Sequence, residues 1–480
     1  MYSDNARAIT DVIEDENDFV LALSFLIECT NKEQYLSMLM DYVLENKSLY
    51  SVETQFFLYQ QLLRIYFQYN FEIGDECRIK IDMWLWNILE YFRSKVQDYD
   101  ELIPVNKRQK NLIFVVTDQF LDEGHAPTKL TMQWCDELVK NGKRVLLINT
   151  AECCTLKGAI PFCGNIGSYI SEYTKLSMME VGYNSVPFFQ CNQGMPDIET
   201  IESLLSVVKK ERPELVISIG DIIFSDLANK MVPVYSVALG LDMPHYFTKY
   251  RMFIGKKMKK SDEQLLSRFG FTDNAVISTY FTFDLPKQVE KHLRSEFGIK
   301  DNSFCLLIVG NRLEYELSND FMTMLNNLIT DDRFCVLFVG RFDYEQAVAP
   351  YNNIVNRSIH IGYANDLLSI VELCDLYINP RRMGGGTSAI FALKKGKPVV
   401  TVNYGDVALN SGEDFCVTDY KSMEETIIKY IEDQNYYNMQ SKRALEKAMQ
   451  LTESDNHLYK QVLEIEKREK QNEKGHCSNI

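Results

Sequence analysis

The spacing of apolar residues changes character near residue 105. Before it, from about Ile9 to Val96, apolar positions recur at helical intervals: Leu36, Leu39, Met40 and Val43 form one stripe, and Ile81, Trp84, Leu85, Ile88, Leu89 and Phe92 another. Glycine is nearly absent there and no strand-like alternation appears, so the pattern predicts an all-helical segment of four helices. Beyond the polar, basic stretch PVNKRQKN (104–111), short continuous apolar runs take over at 112–116, 145–149, 215–219 and 234–238, with helical spacing between them. Such runs belong to strands covered on both faces, the condition of a parallel sheet. A second series begins near Glu296, with runs at 305–309, 334–339, 376–378 and 398–402. Strand and helix alternating in two series implies an α/β chain with two Rossmann-like domains preceded by an all-helical one. The expected division is 1–106 helical, 107–290 an N-terminal Rossmann-like domain, 291–466 a C-terminal one, and 467–480 a charged, frayed tail. The stretch 149–193 is irregular and fits either an insertion or a substrate-facing lobe.

One stretch adds chemistry to the pattern: NPRRMGGGTSAIFALKKGKPVV, residues 379–400. A buried strand runs through Gly384, Gly385 and Gly386 straight into a helix, and a further strand follows at α/β spacing after the stop at Gly396. The first N–H groups of a helix lack intrahelical partners and sit at the positive end of its dipole, so they bind anions. Glycines let a bulky diphosphate approach the backbone, and Thr387 and Ser388 add hydroxyls where a cap is wanted. Arg381 and Arg382 stand just upstream as cations. The plainer alternative is a tight strand-to-helix turn capped by Thr387.

The carboxyl ends of parallel strands are where such sheets bind ligands, and two of them read Gly310-Asn311-Arg312 and Gly340-Arg341-Phe342. Arg312 and Arg341 are therefore candidate phosphate cations, against local ion pairing with Glu314 or Glu316 and with Asp343. His125, one of only six histidines, follows the first strand of the N-terminal sheet in a Gly-His-Ala-Pro loop and can accept a proton at neutral pH, or simply order that loop. Asp122, Glu123 and Thr128 are its neighbours, and His245 is a second histidine in a strand-end loop.

Composition narrows the partners. A formal charge of -16 disfavours nucleic acid and anionic membranes. The 12 cysteines are scattered singly apart from Cys153 and Cys154, with no CxxC and no histidine at ligand spacing, which suggests reduced thiols and no metal site. The acidic N-terminus lacks an apolar signal core and no run reaches a membrane span, so the expected location is cytoplasmic. The aromatic helical segment (Phe56, Phe57, Tyr59, Tyr66, Phe67, Trp84, Trp86) reads as core packing, with a homo-oligomer contact or a partner subunit as the other use of such a face.

The order strand, NP, glycine loop with Thr and Ser, helix, GKPVV is similar to the donor-binding loop of GT-B glycosyltransferases. Within that superfamily Gly386-Thr387-Ser388-Ala389 and the segment FVVTDQFLDEGHAPTKLTMQW (114–134) resemble the O-GlcNAc transferase group and its bacterial relatives that glucosylate adhesins. The resemblance covers about 111–433 and implies two Rossmann-like domains facing a cleft, with the donor on the C-terminal sheet and the acceptor on the N-terminal one. It further implies hexosyl or N-acetylhexosaminyl transfer from a UDP-sugar to a protein or glycan acceptor, with inversion, His125 as base, and neither metal nor cofactor beyond the donor. Two positions depart from the family. Where its members carry a carboxylate for the ribose this chain has Phe391, with Glu413 as a substitute, and where retaining members carry a carboxylate before the glycines it has Arg382 and Met383. The alternatives are a sugar-nucleotide epimerase or hydrolase of the same fold and a non-catalytic GT-B partner subunit.

Overall fold

The computed structural model describes residues 15–477 apart from 70–73, 123, 165, 221, 238–246, 255–262, 265–266, 269, 271–275 and 454–455. Glu123 and His245 thus lie outside the described residues. The chain forms two compact units, Met1–Thr279 with Asn456–Ile480, and Tyr280–Asp455.

The first unit opens with helices α1 (Glu16–Thr30), α2 (Glu33–Glu45), α3 (Val52–Tyr69) and α4 (Asp75–Lys95). Asp15 starts α1 by accepting hydrogen bonds from the Asn17 and Asp18 N–H groups at 2.8 and 3.2 Å. Both predicted stripes are buried, but the helices do not close a core of their own. Trp84, Leu89 and Phe92 join one apolar cluster with Phe114, Val116 and Val216 of the sheet, so helices and sheet share a core.

That sheet contains β1 (Gln109–Thr117), β2 (Arg144–Asn149), β3 (Met178–Val181), β4 (Asn184–Gln190), β5 (Pro213–Ile219), β6 (Val234–Val237), β7 (Tyr250–Ile254) and β8 (Val276–Thr279). Among the described residues the strand order is β3-β4-β2-β1-β5-β6-β7-β8, parallel throughout except for the antiparallel pair β3–β4. This hairpin occupies the stretch that reads as irregular in sequence. β4 alternates buried and exposed residues and carries Pro187, so it lacks the continuous apolar signature of its neighbours. Helix α5 (Ala126–Lys140) connects β1 to β2.

The second unit holds β9 (Phe304–Val309), β10 (Phe334–Val339), β11 (Ser358–Ile361), β12 (Leu376–Asn379), β13 (Val399–Val402) and β14 (Cys416–Val417) in the order β11-β10-β9-β12-β13-β14. All its pairings are parallel. The chain winds outward from β9 to β11, then restarts at β12 on the other side of β9 and winds the opposite way. The switch between β9 and β12 leaves a crevice at their carboxyl ends, because the connections there depart in opposite directions. Helix α6 (Gly386–Lys394) joins β12 to β13, and α7 (Gly405–Ser411) follows β13.

Helix α8 (His457–Cys477) returns to the first unit, where the charge pattern implies a C-terminal domain to 466 and a frayed tail. The difference has a physical cause. Glu469 is 5% exposed and its carboxylate accepts from Arg108 at 2.9 Å, Lys249 at 2.6 Å and the Tyr250 hydroxyl at 2.7 Å. Among the described residues no helix is long and apolar enough to cross a membrane.

Candidate nucleotide-binding site

Strand β12 runs beside β9, Tyr377 opposite Leu307, and the chain must then turn sharply into α6. Gly385 makes the turn. Its φ of 96° is left-handed, and a Cβ there would lie 2.6 Å from the Arg382 Nη2. Gly386 begins α6, and its missing side chain leaves room for two groups from α7: a Cβ would meet Asn410 Nδ2 at 2.5 Å and Asp406 Cβ at 2.8 Å.

Arg382 is 1% exposed and makes four hydrogen bonds inside the unit. It donates from Nη1 to Glu316 Oε2 at 2.7 Å, from Nε to Asn379 Oδ1 at 2.7 Å, and from Nη2 to the Val309 carbonyl at 2.6 Å and Tyr377 Oη at 3.2 Å. Tyr377 lies 2.8 Å from Ser388 Oγ, which itself donates to the Gly385 carbonyl at 2.8 Å. One chain of hydrogen bonds thus runs from the guanidinium to the turn and fixes its shape. The expectation of Arg382 as a phosphate cation gives way to an internal strut, because four of its five N–H donors are bonded inside the unit and the residue is 1% exposed. Ser388 is likewise used internally. Thr387 differs: it is half-buried on the first turn of α6, and its hydroxyl makes no hydrogen bond among the described residues.

Arg312, just past β9, reaches the same turn. Its Nη2 lies 3.2 Å from Glu316 Oε1, with its side chain 37% exposed, and a Cβ on Gly384 would meet that nitrogen at 3.2 Å. The carboxylate of Glu316 therefore holds Arg312 and Arg382 together, one at the surface and one inside. Arg341 is exposed and stacks over Tyr363 at 4.8 Å, away from these bonds. Glu413 is exposed in a short 3₁₀ turn, Glu413–Phe415, and the side chains that reach the glycine turn from this part of the chain are Asp406 and Asn410. Phe391 is 8% exposed and belongs to the apolar core under α6, so the site has no carboxylate from that helix position.

In the first unit His125 is the N-cap of α5, half-buried, with Nδ1 3.0 Å from Thr128 Oγ1. Thr128 is buried, and the same oxygen accepts from the Leu121 N–H at 2.8 Å, so this hydroxyl ties down the loop. Burial pulls the imidazole below its ordinary 6.5, with the Asp122 charge opposing the shift. Asp122 accepts from the Gly124 N–H at 2.9 Å and shapes the turn.

No protein-family model and no curated protein matches the sequence. The structure, however, resembles a glycosyltransferase from Rickettsia africae ESF-5 with a TM-score of 0.56 at 13% identity, over 76% of this chain and 100% of that one. It also resembles an O-GlcNAc transferase from Thermobaculum terrenum with a TM-score of 0.60 at 11% identity, over 96% of this chain and 85% of that one. The chain has the GT-B fold. Within this GT-B chain the glycine turn lies at the switch between β9 and β12, where the fold concentrates helix N-termini. Sequence reasoning missed Asp406 and Asn410; the signal for them is their i, i+4 spacing immediately after the Gly405 that follows a strand.

Proposed function

We propose that the protein is a glycosyltransferase that moves a sugar from a nucleotide-diphosphate sugar, with UDP as the nucleotide, to a protein or glycan acceptor with inversion. The observation that carries this reading is the start of α6. It combines a glycine-lined approach, N–H groups at a helix N-terminus, the unengaged Thr387 hydroxyl and the adjacent Arg312. A leaving diphosphate needs such preorganised donors, because its charge develops as the glycosidic bond breaks. The fold shared with two glycosyltransferases supports the same chemistry.

Calorimetry with UDP tests the donor side. A hydrogen bond to a charged group contributes about 1.5–3 kcal/mol, so Thr387→Val is expected to weaken UDP binding about tenfold to a hundredfold. Ser388→Ala, which removes two internal bonds, is expected to cost about 1–3 kcal/mol of stability and much less affinity. Wild-type affinity in Thr387→Val would overturn the assignment of this turn to the diphosphate.

His125 is proposed as the base that receives the acceptor's proton. Its Nε2 makes no hydrogen bond among the described residues while Thr128 anchors Nδ1, an arrangement that leaves one nitrogen for substrate. Its pKa lies below 6.5, so the imidazole is neutral at pH 7 and its base form is lost only as pH falls through that lowered value. Transfer is therefore expected to show an acid limb with its midpoint below pH 6.5. In His125→Ala that limb should disappear and the rate should fall about 10²–10⁴-fold, with UDP affinity unchanged. An unaltered pH profile in this variant would remove His125 from the chemistry. Assay without acceptor separates transfer from epimerase or hydrolase activity.

A further inference from the structure

We propose that Asp406 and Asn410 form a hydroxyl-binding pair beside the diphosphate site, taking two vicinal hydroxyls of a sugar ring in the bound nucleotide sugar. The inference rests on the donor reading of the α6 turn and specifies what lies next to it. Both residues stand on α7, four apart, and so share one helix face. Both meet the same point: a Cβ on Gly386 would lie 2.5 Å from Asn410 Nδ2 and 2.8 Å from Asp406 Cβ. Asn410 is 7% exposed, yet its amide makes no hydrogen bond among the described residues, and neither does the Asp406 carboxylate. Asp406 is half-buried beside it, so the Asn410 amide and the Asp406 carboxylate stand next to Gly386 with their hydrogen-bonding capacity left for a ligand.

Their chemistry selects the ligand. A carboxylate accepts from two neighbouring hydroxyls at once, and an amide beside it can both donate and accept. A phosphate oxygen would be repelled by the carboxylate. A metal ion is disfavoured because Arg312 and Arg382 already supply positive charge to Asp406. Burial pushes the Asp406 carboxyl up to about 7 against the pull of those two arginines, so a ligand that donates hydrogen bonds to it would favour its ionised form. The pair would supply, from α7, the hydroxyl recognition that Phe391 cannot supply from α6.

Calorimetry in EDTA, on wild type and Asp406→Ala, with UDP, 2′,3′-dideoxy-UDP and UDP-glucose, tests the inference and locates the hydroxyls. If the pair holds the ribose, the variant loses at least tenfold affinity for UDP and none for dideoxy-UDP. If it holds the transferred sugar, the variant loses at least tenfold affinity for UDP-glucose while UDP binds as in wild type. Asn410→Ala should repeat whichever pattern is found at about fivefold, and serves alone if Asp406→Ala melts well below wild type. Wild-type affinity for all three ligands in both folded variants would overturn the hydroxyl role while leaving the diphosphate site intact. A loss that appears only when Mg²⁺ replaces EDTA would also overturn it, in favour of a metal. Failure of wild type to bind any of the three overturns the donor reading and this inference with it.

Discussion

Arg382→Ala is expected to lower the unfolding free energy of the second unit by about 3–5 kcal/mol, read as a leftward shift of its urea transition. The magnitude follows from what the guanidinium does rather than from its charge alone. It bonds Glu316, Asn379, Tyr377 and the Val309 carbonyl at once, with 1% of the residue exposed, and truncation would leave all four groups facing an unfilled space. Arg312 still pairs with Glu316 at 3.2 Å, so the carboxylate is not wholly abandoned, and this favours the lower end of the range. Arg341→Ala is the control. Its exposed side chain stacks on Tyr363, and its loss should change stability by about 0.5–1 kcal/mol. Should Arg382→Ala prove as stable as wild type yet bind UDP poorly, the internal role is wrong and the phosphate role regains its place.

The same residue shows where sequence reasoning reaches and where it stops. The strands that flank the site are legible because they are covered on both faces and must be apolar at every position; the run 334–339 matches β10, Phe334–Val339, to the residue. The glycine turn is legible because its requirement is local. Which arginine serves a ligand is not. Arg381 and Arg382 are adjacent and chemically identical, and what marks Arg382 is its bond to Glu316, 66 positions earlier, which forms only once β9 and β12 are side by side. Asp406 and Asn410 escape notice for the same reason. Their spacing is common in helices, and they become a feature only when the pairing of β12 with β13 sets α7 against Gly386. Short or edge strands such as β3, β8 and β14 carry too few continuously apolar residues to stand out from loop.

Glu469→Ala is expected to destabilise the first unit by about 3–5 kcal/mol, although its sequence neighbourhood reads as a solvated tail. Arg108, with its side chain 4% exposed, and Lys249 both donate to this one carboxylate, so its removal strands a buried cation. Burial alone would push the Glu469 carboxyl up, but the bonds from Lys249 and Arg108 outweigh it and hold the group below its ordinary 4.5. The folded-state value is depressed, so this stabilisation is present above pH 4.5 and is lost as pH falls through the folded value. Unfolding of wild type should therefore become steeply easier below pH 4.5, and Glu469→Ala should show a shallower dependence over the same window. Glu464→Ala, on the same helix with its side chain 43% exposed and paired only with Arg468 at 3.0 Å among the described residues, should stay within about 0.5 kcal/mol of wild type at every pH. If the two variants behave alike, α8 is an appendage; if only Glu469 matters, the last helix is part of the first unit's core, tied in by charges whose partners lie more than 200 positions upstream.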